Sequence, residues 1–284
     1  MSRKKLLFAL AAACIIPAAM ASAQTLEYTE TTPTFETGGR FTAGVDIRLV
    51  PKVLSMSVSE ELRLESNFTN LRRSYTTVGI AYKPLDWLKT GLDVSHLAHH
   101  SASNGWGSRF RGTFYVTESL KLDRLKFSLR EKIQATYRLD APNLYEEPQL
   151  KWIAKARLKM SYDLPASHFT PYFSAEARFL LNGVSPKYFE YDYSDGRWSN
   201  PDPKYTDFYF SRMRFNLGTR YKTGKGNELD LEIIGDMNYD LDFDFNKQGK
   251  QKVDSSTSSG YAPYMFLDDS YFVGIGISYW FKLK

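Results

Sequence analysis

From Lys126 to Leu139 polar and apolar residues alternate at every position but Glu131: Lys126, Ser128, Arg130, Lys132, Gln134, Thr136 and Arg138 interleave with Phe127, Leu129, Ile133, Ala135, Tyr137 and Leu139. The next segment repeats the pattern, with Lys151, Lys155, Arg157, Lys159 and Ser161 set against Trp152, Ala154, Ala156, Leu158, Met160 and Tyr162. A period of two belongs to the β-strand, whose successive side chains point to opposite faces. A helix would turn every second residue by roughly 200° and scatter these cations around its axis. The same parity predicts strands at 40–50, 53–66, 74–83, 87–96, 109–117, 126–139, 151–164, 170–182, 208–223, 227–243 and 270–283. Most reach or exceed the ~9–11 residues with which a tilted strand crosses a bilayer, against ~5–6 in an ordinary sheet.

The connections alternate between short (51–52, 84–86, 118–125, 165–169, 224–226) and long (67–73, 97–108, 140–150, 183–207, 244–269). Bacterial membrane barrels carry short periplasmic turns and long outer loops. On that scheme the last strand ends in the periplasm and the strand at Arg40 begins outside, which calls for one more strand within 26–37. The expected fold is all-β: one antiparallel transmembrane barrel of about twelve strands, with ten as the smaller count. Closure is required because in hydrocarbon every backbone polar group needs an internal partner.

The N-terminus explains where so long an apolar face would lie. Arg3, Lys4 and Lys5 precede an apolar run over 6–16, and Ala21-Ser22-Ala23 supplies small residues for cleavage. Residues 1–23 are read as a cleaved export signal, 24–38 as an N-terminal segment that is either the sought first strand, a periplasmic tail or an arm tucked into the lumen, and 39–284 as the barrel. The destination is the outer membrane of a Gram-negative cell, with outer-membrane lipid and the barrel-assembly machinery as partners. Of the net charge of +5, Arg3, Lys4 and Lys5 carry three, so the chain after residue 23 carries +2. Its cations are dispersed through strands and nearly matched by acids, which is not a nucleic-acid footprint. Cys14, the one cysteine, lies in the signal, so a mature disulfide or thiolate metal site is excluded. No cofactor is implied.

Several blocks resemble the DUF2490 family of outer-membrane barrels: 59–63 (Ser-Glu-Glu-Leu-Arg), 78–82 (Val-Gly-Ile-Ala-Tyr), 129–134 (Leu-Arg-Glu-Lys-Ile-Gln), 170–176 (Thr-Pro-Tyr-Phe-Ser-Ala-Glu) and 212–221 (Arg-Met-Arg-Phe-Asn-Leu-Gly-Thr-Arg-Tyr). The resemblance implies a barrel and carries no established activity. The end, from Gly274 to Phe281, looks like the aromatic-ended final strand that assembly machinery recognises, although Lys282-Leu283-Lys284 follow it.

The inward parity carries Arg109, Arg111, Arg130, Lys132, Lys155, Arg157, Arg178, Arg212, Arg214 and Arg220, facing Glu61, Glu176, Asp230 and Glu232. This predicts an ion-paired lumen, either plugged or a narrow pore. Glu60 and Glu131 break the rule by falling on the apolar parity, which requires a bulge or a position near the membrane interface. The catalytic candidate is His99 with Ser101, two residues apart on one strand face, the spacing used by outer-membrane lipid hydrolases. The alternative for those residues is an ordinary outer loop. His96, His99 and His100 lack a neighbouring carboxylate for a metal. Asp240, Asp242 and Asp244 open like a calcium loop, but Phe245 stands where that loop needs Gly. The aromatic loop 188–198 is a place for a glycan or small solute, or a loop packed on itself over the barrel mouth.

Overall fold

The computed structural model describes residues 29–65, 67–101, 105–223, 226–253 and 265–283, with only the backbone of Ser101. Residues 1–23, read as an export signal containing Cys14, lie outside the described residues.

Among the described residues fourteen strands follow one another: β1 (Thr29–Glu30), β2 (Thr34–Val50), β3 (Leu54–Glu65), β4 (Asn70–Leu85), β5 (Leu88–Ser101), β6 (Gly105–Leu122), β7 (Leu125–Arg138), β8 (Leu150–Tyr162), β9 (Phe169–Gly183), β10 (Glu190–Asp192), β11 (Arg197–Ser199), β12 (Asp207–Lys222), β13 (Glu228–Phe243) and β14 (Met265–Leu283). Twelve of them form one sheet in the order β1-β14-β13-β12-β9-β8-β7-β6-β5-β4-β3-β2, and β14 also pairs with β2, so the sheet closes. β10 and β11 make a separate small hairpin in the connection from β9 to β12.

The closure is where the structure departs from expectation. The sought extra strand is not an antiparallel neighbour of β2. It is β1, two residues that prolong the line of β2 along β14. Eleven strands therefore make the wall, and the ten antiparallel steps between them, an even number, leave the first and last strands running the same way. Their seam is parallel, from Ser270 opposite Thr34 to Leu283 opposite Ile47. Two glycines face each other there, Gly274 and Gly38. A Cβ on Gly274 would sit 2.5 Å from the Gly38 carbonyl oxygen and 2.6 Å from the Phe272 ring. Gly274→Val is expected to weaken closure by about 1–3 kcal/mol, the usual cost of overpacking, read as a lower urea midpoint of the barrel refolded in detergent.

Strand ends also run further than the parity suggested. Leu120 pairs with Phe127 and Leu122 with Leu125, so the connection expected at 118–125 shrinks to Asp123 and Arg124, with Asp123 in the left-handed region (φ 52°). β5 and β6 likewise extend through much of the loop expected at 97–108. The large connections 139–149, 184–206 and 244–264 all leave from one end, the end at which β2 begins.

Exposure alternates as the sequence does. On β13 Leu231, Ile233 and Met237 face out, while Ile234 and Asp236 are buried inside. The outward aliphatic band (Val78, Leu92, Val94, Ile133, Leu158, Leu217, Ile275) is bracketed by rings: Trp106, Phe110, Tyr137 and Trp152 toward the long-loop end, Tyr82, Tyr162, Phe169 and Phe281 toward the other.

Candidate functional site

The enclosed face is organised by register. One cross-strand row runs Thr117, Arg130, Arg157, Glu176, Arg214, Asp236 and Phe272 across β6 to β9 and β12 to β14. The adjacent row carries Lys132, Lys155, Arg178 and Arg212. Like charges directly opposite one another destabilise a sheet, and Lys132 faces Lys155 while Arg130 faces Arg157. Acids on β9 and β13 offset this. Arg212 Nη2 donates to Glu176 Oε1 at 3.1 Å with both side chains under a tenth exposed. Asp236 accepts from Arg214 at 2.5 and 2.7 Å and from Arg40 of β2 at 2.9 Å.

Several of the remaining candidates on this face are held by nearby hydroxyls, rings or carboxylates. Arg111 Nε donates to Thr136 Oγ1 at 2.9 Å, and Arg130 Nε to Thr117 Oγ1 at 2.8 Å beneath the Tyr115 ring. Glu61 accepts from Arg63 at 2.5 Å, and Arg178 meets Asp240 at 3.2 Å. Arg220 lies 3.5 Å from Asp230, and the Tyr172 hydroxyl, with one proton to donate, lies 2.5 Å from Asp230 Oδ1 and 3.0 Å from Glu232 Oε2. Arg40, which completes the Asp236 cluster, is the residue that parity alone did not single out.

The histidines divide between the two faces. His99 points into the barrel, where its Nε2 lies 3.0 Å from Arg109 Nη2 and 3.8 Å from Asp140 Oδ2. It is not on the outward face; the side chain of Ser101 lies outside the described residues. His96 and His100 are exposed on the outward face against Phe110 and Trp106.

Glu60 and Glu131 also face outward. The β3–β4 and β6–β7 ladders are unbroken at both positions, so no bulge turns either inward. Glu60 is satisfied by hydroxyls: Ser74 Oγ donates to one oxygen and Thr76 Oγ1 to the other at 2.6 Å.

Over the mouth at the long-loop end, three connections fold together. Val184, Phe189, Phe243, Phe245 and Met265 form a buried apolar cluster flanked by Tyr145, Trp198 and Tyr205. Asn143 Nδ2 donates to the Phe245 carbonyl at 2.8 Å, the Phe245 amide to Glu146 Oε1 at 3.0 Å, and Asn200 Nδ2 to the Tyr145 carbonyl at 3.0 Å. The residues that resemble a calcium loop thus belong to strand β13 and this cap; among the described residues no group of three His, Cys, Asp or Glu is placed to hold a metal ion. The hairpin β10–β11 carries Tyr191, packed on Tyr193 and Trp198 at 5.1 and 5.4 Å between ring centres.

Within the cap, burial would raise the Glu147 carboxyl, but Lys151 and Arg138 outweigh burial and hold it below its ordinary value. A carboxyl so depressed stabilises its docking above the unfolded pKa, near 4.3, and that stability is lost as pH falls through the folded value. Amide exchange over 139–149, corrected for intrinsic rate, is expected to be slow at pH 6 and markedly faster near pH 3. Glu147→Gln should remove the difference.

A closed β-barrel with an apolar outer face and charged side chains on its inner face is the class that these features define. Within it, residues 41–246 match the family DUF2490, described as a protein of unknown function, and the chain belongs to that family. The matched stretch runs from the middle of β2 to just past β13. No curated protein matches the chain.

Proposed function

We propose that this chain is an outer-membrane barrel of a Gram-negative envelope, sealed by its ion-paired lumen and acting as a structural and binding platform. The observation that carries this reading is the outward aliphatic band held between two belts of rings. Rings with an apolar body settle at headgroup depth and fix a barrel in a bilayer. Sealing is supported by wall size and filling: barrels of ~8 strands are filled by side chains, and open channels come at ~16, whereas this wall has eleven strands with Tyr75, Tyr115, Tyr172, Arg212 and Asp236 buried within. The short connections then face the periplasm and the cap faces outward, with Tyr188 and Tyr193 offering exposed rings to a glycan or small solute. A final strand carrying Tyr279 and Phe281 suits insertion by the barrel-assembly machinery.

Conductance in planar bilayers tests the seal. Protein whose heat-modifiable gel mobility proves it folded and inserted should give no unit current steps, and reproducible steps would overturn the sealed reading. Recovery of the native chain outside the outer-membrane fraction would overturn the location.

A further inference from the structure

The outward face near the cap holds a polar group that the barrel itself does not use. His96 follows Leu92 and Val94 on the outward side of β5, and Ser108 lies between Trp106 and Phe110 on the outward side of β6. His96 Nε2 is 2.6 Å from Ser108 Oγ. Phe110 stands directly opposite His96 and packs on its ring at 5.3 Å between centres. On its other side His96 is opposite Thr76, which is opposite Glu60 and donates to it. Ser108, His96, Thr76 and Glu60 thus make one band across β6, β5, β4 and β3, ending in a carboxylate.

Small residues leave room beside the hydroxyl. Ala98 lies opposite Ser108 on one side and Ser74 on the other. His100, two residues further along the same face, packs edge-on against Trp106 at 5.4 Å. Such a band is costly on a surface that contacts hydrocarbon, where apolar residues are favoured. A serine hydroxyl bound to an imidazole is, chemically, a nucleophile with its base. Trp106 and Phe110 set its depth: the ring belt lies at headgroup level, where acyl ester linkages of membrane lipids are found.

We propose that Ser108 and His96 form a nucleophile–base pair that cleaves a carboxylic ester of a membrane lipid from the lipid-facing wall; the proposal rests on the outer-membrane location inferred above. Ser108 Oγ bonds to the ester carbonyl carbon as its proton passes to His96 Nε2, and the carbonyl C–O bond breaks. The leaving alkoxide takes the proton from His96, leaving an acyl-serine. Water then attacks the acyl carbon and gives a proton to His96 as the bond from that carbon to Ser108 Oγ breaks; the fatty acid leaves, and Ser108 Oγ takes the proton back from His96. His100 offers an N–H donor to the oxyanion, which is where most stabilisation of such a transition state is found. Glu60, acting through Thr76, is a positioning residue.

The full mature chain, refolded in detergent and checked by heat-modifiable mobility, is incubated in separate arms with phosphatidylethanolamine and with lipopolysaccharide, and free fatty acid is measured by mass spectrometry. Release is expected in one arm, which identifies the lipid source, and Ser108→Ala or His96→Ala should lower it at least ~100-fold. A fluorophosphonate probe should label Ser108 covalently in the wild type and leave Ser108→Ala unlabelled. Glu60→Gln should slow labelling of Ser108 without abolishing it, and Glu60→Asp should restore part of the rate. Folded protein that releases no acid in either arm and takes no probe overturns the proposal. So does release that survives Ser108→Ala, or that is lost with Ser101→Ala instead. Loss of heat-modifiable mobility would instead count against the barrel and its membrane location.

Discussion

Asp236→Ala is expected to cost the barrel about 3–5 kcal/mol, the penalty for leaving a buried charge without its partner. The carboxylate serves two guanidiniums, Arg214 through a two-point contact and Arg40 from across the parallel seam, and all three side chains are at most 12% exposed. Removing it leaves two cations facing each other in the enclosed interior. The cost follows from desolvation and not from the pair's net worth, which gives a second arm to the experiment. Replacing Asp236, Arg40 and Arg214 together by apolar residues of similar size should recover most of the loss, as replacing whole buried ion clusters commonly does. Urea midpoints of the refolded protein in detergent read both. A shift for Asp236→Ala within the ~0.5 kcal/mol of an ordinary surface change would mean that water reaches the cluster, and the lumen would then be open at that depth.

Phe245→Ala carries a comparable expected loss, about 3–5 kcal/mol for a large side chain removed from a core, but confined to the cap. Phe245 is 0% exposed and packs on Phe189 at 4.9 Å between ring centres. Its amide and carbonyl tie the connection after β13 to Asn143 and Glu146. Eleven strands closed on themselves do not depend on it. The cap should therefore loosen while the barrel keeps its heat-modifiable mobility, and limited proteolysis should cut within 184–206 and 244–253 in the variant alone. Unchanged cleavage would show that the loops hold without this ring.

Much of the wall was legible in the chain because the interior and exterior of a barrel demand opposite chemistry at alternate residues. Lys126 to Arg138 and Lys151 to Ser161 announce their faces by parity, and Arg212, Glu176 and Asp236 stand on the enclosed side that parity assigns. Strand ends were less legible. Ser119 to Leu122 carry no strong alternation, and only pairing with 125–128 makes them strand. The histidines show the limit most sharply. Spacing along the chain suggested His99 with Ser101, whereas the outward parity of Leu92 and Val94 continues to His96 and His100. That signal was present in β5 itself. The neighbour of His96, however, comes from β6, twelve residues on, and no spacing rule within one strand could find it.

The two-residue alternation alone determined that this protein is a sheet with one apolar and one charged surface, since each side chain's face follows from its own position in a strand. The tertiary structure decided the rest: that eleven strands close through a parallel seam, that Arg40 reaches Asp236, that Phe245 seals a cap, and that His96 meets Ser108. Each of these depends on register between segments distant in sequence, and register is set by the packing of the whole closed wall, a property that no single strand contains.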